Sequence, residues 1–449
     1  MNKYLLRLCF LIVLIYPTLF QNISAQPYTP PLENLQARKN FSNKRFGIFI
    51  HWGLYSMFAQ GEWYMTNANI DCNEYAKSAN AFYPHNFNAE EWVKAIKNAG
   101  AGYLCFTTRH HEGFSMWDTK MSDYNIMNTP YGQDIVKQLA DACHKNDLGL
   151  HFYYSHLDWT REDYPIGRTG RKTGRKGNAP NWKNYYNFMN GQLIELLTNY
   201  GKVDCIWFDG VWDHDSDSIP FDWQLEEQYA LIHKLQPACL IGNNHHKTPV
   251  DGEDIQIFER DVPGENKAGL SGQAVSPLPL ETCQTMNGMW GYKIVDQNYK
   301  SVSTLIQLLV RTSSKGANLL LNIGPHPDGS LPAIALERLK DMGEWLRTYG
   351  ETIYGTQAGN VETGGDSIVC TRKNNRLFIH ILDSNVTQIN IPLSAKKVKA
   401  ARLLPNRQSL TFTYKNKKLI ISNLIPRCGG IILKKFKNLF RKFHKQSNN

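Results

Sequence analysis

The feature that most constrains this chain is a regular alternation of short apolar runs and amphipathic helical patterns between about residues 45 and 350. Such alternation predicts parallel strands covered by helices, because a parallel pair needs a long crossover that a helix usually supplies. The number and length of the units favour a (β/α)8-like barrel over an open doubly wound sheet, and no G-x-G-x-x-G motif follows the first strand. Strands are predicted at residues 45–52, 102–108, 148–154, 203–209, 239–242, 255–258 and 318–323, and helices at residues 89–99, 134–146, 182–200, 223–235, 302–312 and 332–349.

The pattern changes after Gly355. Short runs with alternating apolar residues follow, separated by turn residues, and they predict antiparallel strands at residues 367–370, 376–382, 398–404 and 418–421. Strands of this kind, so closely spaced, are typical of a small β-sandwich. We therefore expect the (β/α)8-like barrel over residues 26–355 and a C-terminal antiparallel β-sandwich over residues 356–433.

Residues 1–25 have the pattern of a secretory signal peptide. Lys3 and Arg7 give a positive start, residues 8–19 form an apolar run, and Ala25 ends a small-residue cleavage site. The apolar run is too short to span a bilayer well. We expect the segment to be removed and the mature chain to be exported to a periplasmic, lysosome-like or extracellular location.

Residues 434–449 form a basic amphipathic tail. Six Lys or Arg lie between residues 434 and 445, and apolar residues recur there at helical spacing. The pattern is typical of weak contact with an anionic membrane surface, but a solvated terminus has the same composition, and both interpretations stay open. The whole chain has a net charge of +10, and without the tail the remaining chain is only mildly basic. Because no nucleic-acid-binding motif is present either, we expect no nucleic-acid partner.

The cysteines and one basic stretch have structural explanations. The eight cysteines other than Cys9 show no metal-ligand spacing, so we expect mostly buried free thiols and leave their pairing open. Residues 167–177 (GRTGRKTGRKG) are rich in glycine and positive charge. We interpret this stretch as a solvated loop in preference to a polyanion site.

Polar and aromatic residues cluster where the predicted strands end. Asp209 closes the apolar run 203–208, and the C-terminal end of a buried strand is where an α/β barrel places its reacting groups. In a barrel these ends meet at one mouth, which predicts a single site. The other strand ends carry His51 with Trp52, His110 with His111, Tyr153 with Tyr154, and Glu259.

Three kinds of chemistry are compatible with such a set. A metal site would need His51, His110 and His111 together, but adjacent strand residues point to opposite faces, so we expect no metal. A serine hydrolase of the common type would need G-x-S-x-G, which is absent. Two carboxylates among His, Trp and Tyr side chains fit glycoside hydrolysis, which needs no cofactor, and aromatic rings suit the apolar faces of sugars.

Several longer stretches of residues 40–355 match one family in its own order. They are RFGIFIHWG at 45–53, GEWY at 61–64, TTRHHEGF at 107–114, WD at 117–118, WFDG at 207–210, ETC at 281–283 with WGY at 290–292, and NLLLNIGPHPDG at 318–329. In these motifs the chain resembles glycoside hydrolase family 29, the retaining α-L-fucosidases. The resemblance implies an exo-acting enzyme that releases terminal α-L-fucose from a fucosylated glycan or glycoconjugate, by double displacement through a covalent glycosyl-enzyme.

The resemblance also implies roles for the matching residues. Asp209, in the WFDG stretch, matches the nucleophile. We choose Glu259, 50 residues later, as the acid/base; Glu281 is the alternative, in a stretch like the family's Trp-Glu-Thr-Cys with Leu280 in place of the Trp. The remaining implied roles are hydroxyl binding by His51, His110 and His111, proximity to the sugar for Glu62 and Trp63, contact with the nucleophile for Tyr153, and packing on the C5 methyl and apolar ring face by Trp207 and Trp290.

One stretch departs from the family pattern. Many members have an Asn-Asp-Arg-like stretch after the fifth strand, whose Arg helps to position the acid/base region. Here the residues are Asn243-Asn244-His245-His246. We expect His245 to take the place of the Arg, with a charge that then depends on pH.

Two other functions are compatible with the same pocket. A fucose-binding protein without activity would require the loss of one carboxylate, and both candidates are present. A hydrolase of another sugar, such as an α-galactoside, would use similar contacts, because the ring hydroxyls of L-fucose match those of D-galactose in mirror image. An apolar lining by Trp207 and Trp290 at the methyl group favours fucose. The sequence gives no indication of the oligomeric state.

Overall fold

The computed structural model describes residues 28–176, 180–361, 363, 365–392 and 398–422, and the backbone of 430–434. The predicted signal peptide and the basic tail beyond residue 434 lie outside the described residues, as does Cys428. The other seven cysteines of the predicted mature chain are buried and free, as expected. Among the described helices, none has the length and apolar character that a membrane span requires.

Parallel strands form a nearly closed barrel sheet of eight members. The strands are β1 Phe46–Ile50, β2 Tyr103–Arg109, β3 Gly149–Ser155, β4 Cys205–Asp209, β5 Leu240–Asn243, β6 Gln256–Glu259, β7 Leu280–Thr285 and β8 Ala317–Ile323. Their order is β5-β4-β3-β2-β1-β8-β7-β6, with β1 paired to β8. A bridge between Gly242 and Ile255 links β5 to the start of β6. The predicted (β/α)8-like barrel is thereby confirmed.

Helices connect the strands and cover the outside of the barrel. They are α1 Leu32–Lys44, α2 Tyr64–Asn67, α3 Cys72–Ala76, α4 Ala89–Asn98, α5 Ile135–Lys145, α6 Trp182–Thr198, α7 Leu225–Leu235, α8 Val302–Ser314 and α9 Ala333–Tyr349. The predicted start of α4 is confirmed, because the Asn88 side chain accepts the backbone N–H of Glu91 at 3.1 Å, as an N-cap does. In the barrel, the sequence-based prediction missed α1, the short helices α2 and α3, and β7.

The C-terminal strands form two antiparallel sheets. They are β9 Gln357–Ala358, β10 Ile368–Lys373, β11 Arg376–Ile381, β12 Ile389–Ile391, β13 Ala400–Leu403, β14 Ser409–Leu410, β15 Thr413–Lys415, β16 Lys418–Ile421 and β17 Gly430–Lys434. One sheet has the order β14-β13-β17-β11-β10-β9 and the other β12-β16-β15. Ile379 of the first sheet and Ile391, Leu419 and Ile421 of the second share one apolar cluster, so the predicted β-sandwich is confirmed. The domain boundary at residue 355 stays a prediction.

The interior of the barrel is filled mainly by aromatic side chains. Phe49, Tyr103, Tyr153 and Trp207 form one buried cluster with aliphatic residues from β6 and β8. Because side chains alternate along a strand, the residue two positions after an interior residue also points inward, one layer closer to the mouth. His51 follows Phe49 and Asp209 follows Trp207 in this way. The packed interior therefore forms the floor of whatever site lies at the strand ends.

Candidate active site

A pocket of about 200 Å³ opens at the C-terminal ends of the barrel strands. The alternation along each strand brings the two carboxylates of Asp209 and Glu259 to the same mouth, above Trp207 and Ile257. The residues that line it are Phe49, His51, Trp63, His110, His111, Tyr153, Arg168, Trp207, Asp209, Trp212, Asn244, His246, Glu259, Leu270, Cys283 and Trp290. The structure thus brings together most of the residues that the sequence singled out.

Asp209 is held by several hydrogen-bond donors. Its Oδ1 accepts from the backbone N–H of Gly210 and from Nε1 of Trp212, both at 2.8 Å. Its Oδ2 accepts from the hydroxyl of Tyr153 at 3.0 Å and lies 3.7 Å from Nε2 of His111. The predicted contact of Tyr153 with this carboxylate is therefore present. Oδ2 has fewer donors than Oδ1, which leaves it the more available oxygen for chemistry.

Glu259 shares a donor with Asp209. Asn244 Nδ2 lies 2.8 Å from Glu259 Oε2 and 3.5 Å from Asp209 Oδ1. The same Glu259 oxygen is 3.1 Å from Nε2 of His246, whereas Oε1 lies 3.9 Å from Nε of Arg260. The two carboxylate side chains keep only 13% and 14% of their surface exposed. They form a close, largely buried pair.

The pair has opposed electrostatic environments. Burial and the charge of Glu259 raise the pKa of Asp209 to about 6, against the hydrogen bonds from Trp212 and Tyr153. Burial also acts to raise the pKa of Glu259, but hydrogen bonds from His246 and Asn244 outweigh it and lower that pKa below its ordinary value. Interacting carboxyls titrate as a pair, so between these two values the pair holds one proton.

Three of the pocket histidines, His51, His110 and His111, are neutral, and hydrogen bonds fix the tautomers of His51 and His111. Asn322 Oδ1 lies 2.6 Å from Nδ1 of His51, and since this oxygen only accepts, Nδ1 carries the proton and Nε2 is left free. Ser155 donates its hydroxyl to Leu157, so it accepts from Nδ1 of His111 at 2.7 Å. Burial lowers the pKa of His51 and His111 well below the ordinary value, and that of His110 to about 3. Each ring is therefore neutral near pH 7.

Aromatic rings form the walls of the pocket. Trp290 packs against His51 with ring centroids 5.2 Å apart, and Trp207 packs edge-on against Phe49 at 5.1 Å. On the side of Asp209, Trp63 stacks on Trp212 with centroids 5.8 Å apart. A ring-sized solute in this pocket meets apolar surfaces on several sides and polar groups at its edge, the combination that sugars require.

Glu281 lies one layer below the pocket. The strand register pairs Glu281 with Ile257 and Glu259 with Cys283, so Glu281 is two residues deeper in the barrel than Glu259. Its side chain is fully buried and accepts hydrogen bonds from Tyr103 and from Nε1 of Trp207, at 2.5 and 2.9 Å. Burial raises its pKa to about 7 despite these bonds. Glu281 is outside the pocket lining and orients Trp207 from behind.

The comparisons with known proteins agree with this architecture. The sequence model of the α-L-fucosidase family matches residues 17–351. The chain belongs to the α-L-fucosidase family. It is therefore a glycoside hydrolase of family 29. The plasma α-L-fucosidase of Rattus norvegicus is 30% identical over 380 residues, which are 78% of this chain and 78% of that protein.

Solved α-L-fucosidase structures share the fold. The α-L-fucosidase isoenzyme 1 from Paenibacillus thiaminolyticus superposes with a TM-score of 0.79 at 32% identity, covering 90% of this chain and 100% of that one. The α-fucosidase from Thermotoga maritima, solved in complex with a mechanism-based inhibitor, gives a TM-score of 0.73 at 27% identity over 91% of this chain and 100% of that one.

Two residues with expected roles at the active site of this fucosidase, His245 and Glu62, lie outside the pocket lining. His245 turns away from the pocket, and its Nε2 lies 3.0 Å from Oε1 of the buried Glu253. His246 lies beside Glu259 instead, because a left-handed backbone at His246 (φ 62°) reverses the direction of the loop. Glu62 is buried behind the pocket wall, where its carboxylate accepts the N–H of Gly291 at 2.7 Å and so fixes the loop that carries Trp290.

The basic stretch at 167–177 is not the freely solvated loop that we expected. Its described residues pack on the barrel mouth: Thr173 and Arg175 are buried, and Asp213 accepts two hydrogen bonds from Thr169. Gly170 has φ 63° and lies so close to Trp159 that a Cβ would stand 2.3 Å from its ring. These anchoring contacts could not be predicted from the sequence, because a composition rich in charged residues and glycine is also typical of solvated loops.

Sequence reasoning missed several pocket residues of this fucosidase. Trp212, Asn244 and His246 contact the carboxylates, and Arg168 lines the mouth. For Asn244 a signal existed, since it follows the end of β5 as Asp209 ends β4. Trp212 lies in a short 3-10 turn just after Asp209, and nothing in its spacing marked it. Among the described residues, no group of three or more His, Cys, Asp or Glu side chains is arranged to hold a metal ion.

Proposed function

We propose that this fucosidase is an exo-acting, retaining enzyme with Asp209 as nucleophile and Glu259 as acid/base. The observation that carries the proposal is the single amide nitrogen of Asn244 that reaches both carboxylates, at 2.8 and 3.5 Å. One bridging nitrogen keeps the two groups close. That favours the separation of about 5 Å found in retaining enzymes over the roughly 6.5–9.5 Å that inverting enzymes need to admit a water.

In the first step, Asp209 Oδ2 attacks the anomeric carbon of fucose while the bond from that carbon to the glycosidic oxygen breaks. Glu259 gives its proton to the departing oxygen. Because Asn244 and His246 both donate to Oε2 of Glu259, Oε1 is the oxygen that carries this proton. The products are an ester between Asp209 and fucose, a neutral leaving group and an ionised Glu259.

In the second step, the ionised Glu259 takes a proton from a water molecule. The water oxygen attacks the anomeric carbon, and the ester bond to Asp209 breaks. Two inversions at one carbon give net retention, so α-L-fucose is released. Asp209 leaves as a carboxylate stabilised by Gly210, Trp212 and Tyr153, which already donate to it in the free enzyme.

Catalysis also requires the shared proton to be on Glu259 when the substrate is bound. In the free site the raised pKa of Asp209 and the lowered pKa of Glu259 place it on Asp209. A bound substrate supplies a glycosidic oxygen that accepts from protonated Glu259, and it displaces water around both groups. The hydrogen bond to the glycosidic oxygen favours the protonated form of Glu259 with Asp209 ionised, whereas the loss of water disfavours the ionised form of either carboxyl.

Fucose recognition follows from the pocket walls. The free Nε2 acceptors of His51 and His111 suit sugar hydroxyls, with His110 beside them. Trp207 and Trp290 offer the apolar surface for the C5 methyl group, which favours fucose over a hexose with a C6 hydroxyl. Since Trp207 and its aromatic neighbours close the floor of the pocket, one terminal sugar fits and a continuing chain does not, as exo action requires.

The proposal extends to the source of the substrate. The N-terminal pattern of residues 1–25 supports export, and a plasma α-L-fucosidase is among the relatives. The substrate is then a fucosylated glycan or glycoconjugate that the exported enzyme meets outside the cytoplasm.

Removal of the nucleophile tests the proposal. Asp209→Ala should lower turnover of 4-nitrophenyl α-L-fucoside by several orders of magnitude. Added azide should restore cleavage by attacking from the vacated side, and the product should be the β-L-fucosyl azide, of inverted configuration. Replacing the buried Asp254 by Asn is a control for loss of a buried carboxylate, and it should not generate an azide product.

A variant Asp209→Ala that keeps a tenth of the wild-type rate without azide would exclude Asp209 as the nucleophile. An azide product of retained configuration would contradict the double displacement.

A further inference from the structure

We propose that the mouth of the pocket carries a subsite for an anionic substituent, a sulfate or a carboxylate, on the glycan that bears the fucose, with Arg168 as its cation. The inference rests on the proposed function, since it assigns a substrate class to that same pocket. It comes from the basic loop at residues 167–176, which fucose binding itself does not use.

The loop holds Arg168 in a defined place. The backbone N–H of Arg168 donates to the carbonyl of Asp213 at 2.9 Å, and the next residue, Thr169, binds the Asp213 carboxylate through both N–H and hydroxyl. Tyr164 donates to the other oxygen of that carboxylate at 2.9 Å. The Asp213 carboxylate is thus held by Tyr164 and by Thr169 of the loop, and Asp213 anchors the backbone of Arg168.

The guanidinium group of Arg168, in contrast to its backbone, is available to bind a ligand. It lies over the ring of Trp212 at 5.0 Å and lines the pocket, and within the described part of the chain it forms no ion pair with an acidic side chain. Trp212 in turn donates to Asp209. An exposed cation is therefore fixed next to the reacting group, in a pocket whose proposed sugar is uncharged.

The other cations around the mouth are already engaged. Lys247 pairs with Asp215. Arg260 donates to the carbonyl of Gly288 at 3.0 Å and lies over Trp290 at 5.1 Å. Arg168 is the pocket-lining Arg or Lys that forms no ion pair with an acidic side chain in the described structure.

The chemistry of this group indicates what it binds. A guanidinium presents a planar set of donors that matches the oxygens of a carboxylate or a sulfate, often in pairs. An uncharged sugar hydroxyl needs no such cation. Exposed Arg171, Lys172 and Lys176 on the same loop add a positive field that attracts an anionic glycan toward the mouth.

Competition experiments measure this recognition whether or not a given glycan is cleaved. Three competitors share one fucosylated N-acetyllactosamine core: the neutral form, a form with one sulfate on N-acetylglucosamine, and a form with sialic acid on galactose. Each is tested as an inhibitor of 4-nitrophenyl α-L-fucoside hydrolysis. The wild-type enzyme should bind at least one anionic form about three- to fivefold more tightly than the neutral form, and added salt should reduce this preference.

Two charge-removing variants locate the effect. Arg168→Gln should bring the ratio of the inhibition constants close to one. Lys172→Gln removes the same charge from the same loop at an exposed position outside the pocket lining, and it should leave the ratio nearly unchanged. Tighter binding of the sulfated or of the sialylated form identifies which anion the subsite takes.

Equal inhibition by neutral and anionic forms in the wild type would overturn the subsite. So would a preference that survives Arg168→Gln, or one that Lys172→Gln lowers as much, because the preference would then come from the general field of the loop. A protein that does not hydrolyse the chromogenic fucoside at all would instead contradict the proposed function, and the two failures are distinguishable.

Discussion

The buried Glu281 gives a prediction that separates a structural carboxyl from a catalytic one. Its pKa is raised from 4.5 to about 7 by burial, although Tyr103 and Trp207 donate to it. In the folded protein Glu281 therefore holds its proton up to about pH 7, whereas in the unfolded chain it loses the proton near pH 4.5. Between these values folding takes up a proton, so the stability of the folded state falls as pH rises.

The magnitude follows from the size of the shift. Each pKa unit corresponds to about 1.4 kcal/mol, so raising the pKa from 4.5 to about 7 costs about 3 kcal/mol of unfolding free energy. The full cost applies above about pH 7 and disappears below about pH 4.5. Glu281→Gln cannot ionise and keeps the shape: its oxygen accepts from Trp207, and its amide N–H donates to the Tyr103 hydroxyl. The variant should therefore match the wild type at low pH and exceed its stability at high pH.

The assay is urea unfolding followed by tryptophan fluorescence, on wild type and variant at matched pH values from 4.5 to 8.5. The difference in free energy of unfolding should grow by about 3 kcal/mol across this range and level off above about pH 7. The exposed Glu344 provides a control for the loss of a surface carboxylate, and Glu344→Gln should not change stability by about 3 kcal/mol across this range. A Glu281→Gln difference that does not change with pH would refute the assignment of a buried, protonated carboxyl.

Three further predictions concern the proposed reacting groups. Glu259→Ala should lower kcat for natural glycans far more than for aryl fucosides with good leaving groups, and Glu281→Gln should not show that pattern in the same rate comparison. His246→Ala should show the pattern of Glu259→Ala in milder form, with His246→Gln restoring part of the loss, because a donor to Glu259 Oε2 is removed. The pH profile of kcat/KM should be a bell that falls above about pH 6, because the Asp209–Glu259 pair must keep one proton.

Each of these predictions has a contrary result. A leaving-group dependence in Glu281→Gln and not in Glu259→Ala would reverse the acid/base assignment. A normal rate in His246→Ala on every substrate would remove His246 from the site. A kcat/KM profile that stays flat to pH 8 would show that titration of the Asp209–Glu259 pair does not limit activity at high pH.

Much of the barrel was predictable because its strands are apolar runs that end on polar residues. The run that becomes β4 stops at Asp209, and the position of Asp209 at the mouth follows from the fold class alone. Strand β7 was missed for the opposite reason. Its sequence, LETCQT, is mostly polar, since Glu281 faces the interior and finds its partners in Tyr103 and Trp207, far away in the sequence.

The sequence alone did not decide whether Glu259 or Glu281 is the better acid/base candidate. The strand register separates the two residues. Both residues lie in short strands near the mouth, but the pairing of Ile257 with Glu281 puts Glu281 one layer deeper. The spacing of the two residues along the chain gives no information about this difference in depth. The exchange of His245 for His246 has a similar origin, because a left-handed backbone at one residue decides which imidazole faces Glu259.

The measurement that tests the central claim most directly is hydrolysis of 4-nitrophenyl α-L-fucoside by the purified mature chain, followed by NMR so that the first anomer is seen before mutarotation. The proposed double displacement by Asp209 and Glu259 predicts α-L-fucose as the first product. Release of β-L-fucose first would show a single displacement by water and would contradict the covalent intermediate on Asp209.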